Sequence, residues 1–503
     1  MTVLDFLVNL GLGFGVATMP INLLYCFAGV LLGTLIGVLP GIGPIATIAM
    51  LLPITFGLPP TTALVMLAGI YYGAQYGGST TAILMNLPGE STSAVTTLDG
   101  YQMAKQGRAG VALGIAAIGS FLGGCVATLV LGLFAPPLAG LALNFGPPEY
   151  FALMVLGLIS AVVLASGSLV KAIGMILLGL LFGAVGTDLN TGFLRFSFGI
   201  GEISNGIDFV VVAIGIFAFT EILLNLERTE TQRSFTQNVK GIWPSWLDIK
   251  QAFPAILRGT GLGTVLGVLP GGGALLASFA AYALEKKISR HPETFGKGAI
   301  EGVAGPETAN NAAAQTSFIP LLTLGIPSNA VMAVMAGALI IQGITPGPQV
   351  ISSHPELFWG IIASMLIGNL MLVILNMPLI GLWVKLLSIP YRMLYPAILL
   401  FCCVGAFSIS NSPVAVLLTV FFGLVGYVCL KVGCEPAPLV LGFVLGPLFE
   451  ENLRRSLLLS RGDPIIFIQR PISATLLAIT VIMLIVVLAP AIRRGREEVL
   501  HKE

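Results

Sequence analysis

Apolar positions run through this chain in long uncharged stretches, and the stretches are interrupted in a pattern that occurs twice. From Phe6 to Gly89 there is no Asp, Glu, Lys or Arg. A run of that length predicts several membrane-crossing segments at about 20 residues each. The runs are continuous rather than alternating, which predicts helices and excludes a β-barrel.

Inside these runs one phrase is repeated. Residues 33–44 read GTLIGVLPGIGP and residues 263–274 read GTVLGVLPGGGA, identical at eight of twelve positions and 230 residues apart. Proline removes a helix donor and clashes with the preceding turn, and the glycines beside it make the break cheap. Two interrupted apolar segments at matching places in two halves point to a transporter site.

Taken in order, residues 1–20 predict a short or interfacial helix, broken by Gly11, Gly13, Gly15 and Pro20. Residues 21–57 hold the first Pro-Gly hairpin. Residues 61–104 form a broken helix: one piece from Thr61 to about Tyr72, another from Ser79 to Leu87, and a restart at Ser91 after Pro88-Gly89-Glu90. Scaffold spans follow within 110–226. The most polar stretch, 227–258, reads as a cytoplasmic linker with an amphipathic helix at the interface around Trp243–Leu257. The plan then repeats in 259–503. A hairpin occupies 259–284. A broken helix occupies 301–342, with its break at Pro327-Ser328-Asn329. Scaffold spans occupy 357–492. The expected fold is an all-α polytopic membrane protein of two inverted-topology repeats, each with a re-entrant hairpin and a broken helix, with roughly 10–12 membrane segments in all.

Composition agrees. The 503 residues are 56% hydrophobic and 9% charged, where a soluble domain carries about a quarter charged residues. The net charge of +1 says nothing about acidic partners or nucleic acid, and no nucleic-acid partner is expected. The six cysteines lie in or beside apolar segments without zinc-type spacing and read as small hydrophobes. No basic region precedes the first apolar run, so no cleavable signal peptide is expected. The three histidines, His291, His354 and His501, fall in predicted loops or the tail. No Ser–His or Cys–His pair can be placed inside the bilayer and no GxxxxGK[ST] loop is present, so no enzyme is expected.

The basic residues set the expected topology. Residues 259–284 carry no charge but are flanked by Arg258 and by Lys286, Lys287 and Arg290. Positive residues prefer the cytoplasmic side, so both ends of this segment are placed there. Limbs of about 11–12 residues reach roughly 17 Å, half the hydrocarbon thickness, as a re-entrant hairpin does. The alternative is one kinked crossing helix. Lys105 and Arg108 follow the first broken helix, whereas residues 342–353 after the second contain no Lys or Arg. This swap suggests opposite insertion of the two halves and a cytoplasmic C-terminus at Arg493, Arg494 and Arg496.

The breaks are the candidate binding elements. Free N–H groups at helix starts attract anions without any arginine. The substrate-binding candidates are Gly41, Gly43, Asn86, Pro88, Gly89, Ser91, Thr92, Gly271, Gly272, Gly273, Pro327, Ser328 and Asn329, with Ser91 and Ser328 or Asn329 as N-caps. Freed carbonyls there suit a coupling cation. Intramembrane ionisable residues default to function, so Glu90 and Glu307, with Asn310 and Asn311, are the candidates for coupling to Na⁺ or H⁺. The alternatives are a capping or interfacial carboxylate at Glu90, a superficial loop at Glu307, and interhelical hydrogen bonding at Asn310-Asn311. No other cofactor is expected.

At this point the motifs themselves become informative. The segments GVLPGIGP (37–44), YYGAQYGGSTTAILMNLPGESTSAVT (71–96), EGVAGPETANNAAAQ (301–315), LTLGIPSNAV (322–331), ALIIQGITPGP (338–348) and SLLLSRGDPIIFIQRPIS (456–473) resemble the large membrane permease subunit of tripartite tricarboxylate transporters. The resemblance covers nearly the whole chain. It implies a multi-pass protein of the bacterial inner membrane that works with a small membrane subunit of about four spans and a periplasmic solute-binding protein. It implies import of a tricarboxylate or related organic acid, driven by an ion gradient, with elevator-type alternating access. The sequence departs from the family pattern at Gly305 before Pro306 and at Gln315-Thr316-Ser317-Phe318, where the family is small and Gly-rich. If those positions line the site, the carboxylate differs from a tricarboxylate. A homodimer fits so much apolar scaffold surface. The competing reading is a channel-like or structural membrane subunit of a larger complex, and no helix carries the continuous polar stripe that a pore needs.

Overall fold

Helices made of apolar runs pack closely only where small residues let backbones touch, and each copy of the repeated phrase supplies glycines four residues apart. A computed structural model of the chain describes residues 2–39, 43–142, 145–164, 168–188, 191–227, 241–269, 273–386 and 391–500. Its helices in the first half are α1 (Val3–Ala17), α2 (Pro20–Val38), α3 (Pro44–Thr55), α4 (Pro60–Met85), α5 (Thr96–Lys105), α6 (Ala109–Ala142), α7 (Pro147–Leu164), α8 (Leu169–Gly183), α9 (Phe209–Ala213) and α10 (Thr220–Glu227). A π-helical turn, Ile214–Phe219, joins the last two. There follow α11 (Trp246–Val268), α12 (Gly273–Ile288), α13 (Glu301–Thr316), α14 (Phe318–Leu324), α15 (Ala330–Ile341), α16 (Gln349–Ser353) and α17 (Pro355–Asn376). The chain then forms α18 (Ile380–Leu386), α19 (Tyr391–Ser410), α20 (Pro413–Lys431), α21 (Pro436–Leu459), α22 (Ile466–Gln469) and α23 (Pro471–Leu500). The only strands among the described residues are a two-residue antiparallel pair, β1 (Gly186–Thr187) and β2 (Leu194–Arg195). Five described helical stretches are long and apolar enough to cross a membrane: Pro20–Val38, Ala109–Ala142, Phe209–Glu227, Pro355–Asn376 and Pro413–Lys431. The protein is therefore an all-α polytopic membrane protein.

The chain divides into two compact units. One comprises residues 1–140 and 210–427, and the other residues 141–209 and 428–503. The expected scaffold spans, 110–226 and 357–492, contribute helices to both. In the smaller unit, Gly179 of α8 lies against the Leu439 carbonyl of α21, and Phe151 of α7 packs between Phe449 and Phe467. Arg454 ties Asp188 to Glu450 there.

In the larger unit the glycine ladder is explicit. A Cβ added at Gly29, Gly33 or Gly37 of α2 would meet the carbonyl oxygens of Met66, Ile70 and Ala74 of α4 at 2.2, 2.4 and 2.3 Å. In the second copy, Gly259, Gly263 and Gly267 of α11 face the carbonyls of Gly305, Ala309 and Ala313 of α13 at 2.5, 2.3 and 2.5 Å. Backbone on the far side cannot yield as a side chain can. Gly263→Ala is therefore expected to destabilise by about 1–3 kcal/mol, read as a lower melting temperature of the detergent-purified protein.

Three elements differ from the sequence pattern. The pieces expected at 61–72 and 79–87 form one helix, α4, of 26 residues. Its Gly69, Gly73 and Gly77 are filled by the backbone of α2 rather than left as breaks. The amphipathic stretch at 243–257 is not a separate element but runs straight into the first hairpin limb as α11, 23 residues long. The helix expected to restart at Ser91 is a 3₁₀ turn, Ser91–Ser93, followed by α5.

Candidate functional site

The two helix breaks have the same construction. α4 ends at Asn86 and α14 at Gly325, and both cap residues are left-handed, with φ of 59° and 74°. After each break a short irregular segment leads to an extended cap residue at a new helix start. Glu90 precedes the 3₁₀ turn and Asn329 precedes α15. The two cap side chains differ, and the left-handed turn is what repeats. Glycine adopts that turn freely, and asparagine tolerates it as few other side chains do. The matching positions, 86 and 325 and again 90 and 329, are 239 residues apart.

At the first break Gln75 of α4 is the hub. Its Nε2 donates to Glu90 Oε1 at 3.0 Å, and its Oε1 accepts from Thr92 Oγ1 at 2.8 Å. Glu90 is half-buried as a residue, but its Oε2 is buried and has no hydrogen-bond partner. Gly89 is lodged between Gly37 of α2 and Gly78 of α4, where an added Cβ would lie 2.0 Å from the Gly37 carbonyl oxygen. At the second break Ser328 donates to the Ser317 carbonyl at 3.1 Å, and Asn329 Oδ1 caps α15 by accepting from Met332 N–H at 2.9 Å. Asn329 Nδ2 donates to the Tyr71 hydroxyl at 3.3 Å. Gly273, with φ of 42°, starts α12 against the Asn329 side chain. Tyr71 belongs to α4, so one helix serves both breaks.

Glu307 is not in a superficial loop. It sits within α13 and is fully buried. The stretch Glu301–Thr316 looks like a loop because it is polar and holds Gly302, Gly305 and Pro306. It is a helix because its small residues fit against α11 and α12. Ser79 donates to Glu307 Oε2 and Thr96 to Oε1. Asn311 Nδ2 donates to Ser120 Oγ at 2.7 Å and to the Glu307 carbonyl at 3.1 Å. Both polar atoms of Asn310 and of Gln315, and Oδ1 of Asn311, are buried without a partner. No ion pair among the described residues includes Glu90 or Glu307. The chain has no Lys or Arg in residues 1–104 or 298–384. An isolated ionised carboxylate in such surroundings is costly, so these two carboxyls need a proton or a cation.

The structure thus brings Gly89, Glu90, Thr92, Gly273, Glu307, Ser328 and Asn329 into the packed region around α4 and α13. Pro327 is buried beside them, while Asn86, Pro88 and Ser91 are exposed. Gly41, Gly271 and Gly272 lie outside the described residues. Gly43 donates its N–H to both carboxylate oxygens of Glu221, at 3.0 and 3.1 Å. The residues that sequence reasoning missed are the partners: Tyr71, Gln75, Ser79, Thr96 and Asp99. Gln75 and Asp99 carried a signal, as polar groups in otherwise apolar or small-residue segments. Asp99 of α5 is fully buried. Its Oδ1 accepts from the N–H groups of Gly296, Gly298 and Ala299, each at 2.8 Å, and its Oδ2 accepts from the Tyr282 hydroxyl at 2.9 Å. Among the described residues the arrangement offers carboxyls, hydroxyls and amides, groups suited to binding.

A sequence profile described as the "Tripartite tricarboxylate transporter TctA family" matches residues 23–441. The chain is 61% identical over 500 residues to an uncharacterized 52.8 kDa protein in the TAR-I ttuC' 3'region of Agrobacterium vitis, covering 99% of this chain and 100% of that one. It is 64% identical over 237 residues to an uncharacterized protein in the TAR-II ttuC' 3'region of the same organism, covering 47% of this chain and 98% of the relative. No solved structure matches the chain.

Proposed function

The chain belongs to the tripartite tricarboxylate transporter TctA family, and from that premise we propose that it carries an organic carboxylate through the membrane between its two helix breaks. Family membership makes it a membrane subunit of a transporter. The finer reading is import across the bacterial inner membrane by elevator-type alternating access, driven by a Na⁺ or proton gradient. A periplasmic solute-binding protein delivers the substrate, and a small membrane subunit completes the carrier. The C-terminus lies in the cytoplasm and the chain pairs with a second copy.

The observation that carries this reading is the meeting of both breaks on one helix. Glu90 reaches Gln75 and Asn329 reaches Tyr71, both on α4, in a region without basic side chains. Helix starts and amides can hold a carboxylate there without arginine. Freed carbonyls and the carboxyls of Glu90 and Glu307 can hold the coupling cation. The test is uptake of radiolabelled carboxylates into proteoliposomes holding the carrier complex, under an imposed Na⁺ or proton gradient and without ATP. Asn329→Ala is expected to lower the initial rate about 10-fold, the scale of one lost hydrogen bond to a charged group. Full uptake by this variant would remove the second break from the site.

A further inference from the structure

A small cavity beside α4 is not used by the substrate reading. It is about 20 Å³, lined among others by Tyr76, Ser79, Thr80, Ser120 and Asn376, and a space of that size holds about one water. Two of its lining side chains are almost fully buried and have an unpartnered polar atom: Tyr76 its hydroxyl, and Asn376 its Oδ1. Two others touch the buried carboxyl network. Ser79 donates to Glu307 Oε2, and Ser120 Oγ accepts from Asn311 Nδ2 at 2.7 Å. The cavity is therefore one hydroxyl away from Glu307.

We infer that this cavity is a proton entry and that Glu307 is the residue that carries the coupling proton. The inference rests on the carrier reading above and names its ion.

The hydrogen bonds around Glu307 accommodate a proton, and the missing counter-charge favours one. Ser79 has one hydroxyl hydrogen and two acceptors in reach, Glu307 Oε2 and the Gln75 carbonyl at 3.1 Å. When Glu307 is ionised, that hydrogen goes to Oε2, and the Gln75 carbonyl keeps the backbone N–H of Ser79 within α4. When Oε2 carries a proton, it donates to Ser79 Oγ, Ser79 donates to the Gln75 carbonyl, and Thr96 still donates to Oε1. Both carboxyl oxygens keep a partner, and a neutral carboxyl needs no counter-charge in the core. Entry balances in the same way. A proton on water in the cavity passes to Ser79 Oγ, and the hydroxyl's own hydrogen passes to Oε2.

The charged and titratable groups around α13 do not supply the counter-charge. Tyr76 of α4 and Glu90 lie within interaction distance of Glu307. Asp99 of α5 and Tyr282 of α12 stand at Gly302, and Glu285 of α12 stands at Gly305. A nearby cation, Arg258 of α11, is engaged with Glu285 at 2.8 and 2.6 Å. Ser120 of α6 is uncharged.

The experiment compares two readouts in proteoliposomes of the complete carrier complex: accumulation under an inward proton gradient, and counterflow, in which unlabelled internal substrate exchanges for labelled substrate. Glu307→Gln is expected to lose accumulation relative to counterflow by at least ~10-fold, the scale of one charge-assisted hydrogen bond, and to lose the rise of uptake with external acidity. If this variant loses both readouts, Tyr76→Phe and Asn376→Leu decide. Slower proton-driven accumulation with unchanged counterflow supports the entry route, and unchanged accumulation overturns it. Accumulation by Glu307→Gln, or wild-type accumulation that follows Na⁺ and ignores protons, overturns the proposal and leaves the carrier standing. A wild-type complex without counterflow under any gradient overturns the carrier itself.

Discussion

Gly89→Ala is expected to abolish carboxylate uptake while leaving the protein in the membrane. The added methyl carbon would lie 2.0 Å from the Gly37 carbonyl oxygen and 2.8 Å from Gly78 Cα. Both obstacles are backbone, in α2 and α4, whose ladder fixes them. The break must therefore move outward, and Glu90, the next residue, moves with it away from Gln75. Displacement of about 1 Å at a binding group costs on the order of 100-fold in rate where geometry matters. The ladder between α2 and α4 is made elsewhere along both helices, so the fold survives. The measurement is initial uptake in proteoliposomes, normalised to inserted protein, with a melting curve on the same preparation. Normal uptake by Gly89→Ala would mean that the position of the first break does not matter to transport.

Asp99→Ala carries the largest expected effect on stability. The carboxylate satisfies three backbone N–H groups and one phenol. Its removal leaves four donors without a partner, each costing about 1–3 kcal/mol where water cannot reach. Water entering at the loop recovers part of that, so a net loss of roughly 3 kcal/mol or more is expected. It should appear as a melting temperature several degrees lower and as faster proteolysis near Gly296. Asp99→Asn keeps an acceptor oxygen for the three N–H groups and is expected to lose less than half as much. Equal losses in the two variants would mean that charge, rather than the count of hydrogen bonds, holds the loop.

Much of this was legible in the sequence for local reasons. A proline beside small residues in an uncharged run marks a break wherever it occurs, so Pro88 and Pro327 located the two breaks without any knowledge of packing. Glycines four apart announce close backbone contact. What sequence reasoning could not supply were the long-range partners. Nothing in residues 301–316 says that Glu307 meets Ser79 and Thr96, 228 and 211 residues away. The same limit explains why α4 was expected in two pieces. Gly73 and Gly77 weaken an isolated helix, and only the backbone of α2 against them makes that helix continuous. At Gly43 the expected anion site is occupied by Glu221 of α10, 178 residues on.

The two copies of the plan differ in length at one place. The motif proline precedes the break proline by 48 residues in the first copy, Pro40 to Pro88, and by 57 in the second, Pro270 to Pro327. Most of that difference falls between α12 and α13, where 12 residues stand against four between α3 and α4, in the same segment from which Gly296, Gly298 and Ala299 reach Asp99. If the chain descends from a duplicated gene, this insertion is the mark of when its two copies stopped being interchangeable. From then on, the second copy held a loop of its own whose backbone N–H groups rest on a carboxylate of the first. Descendants could no longer exchange halves, and each half was free to specialise.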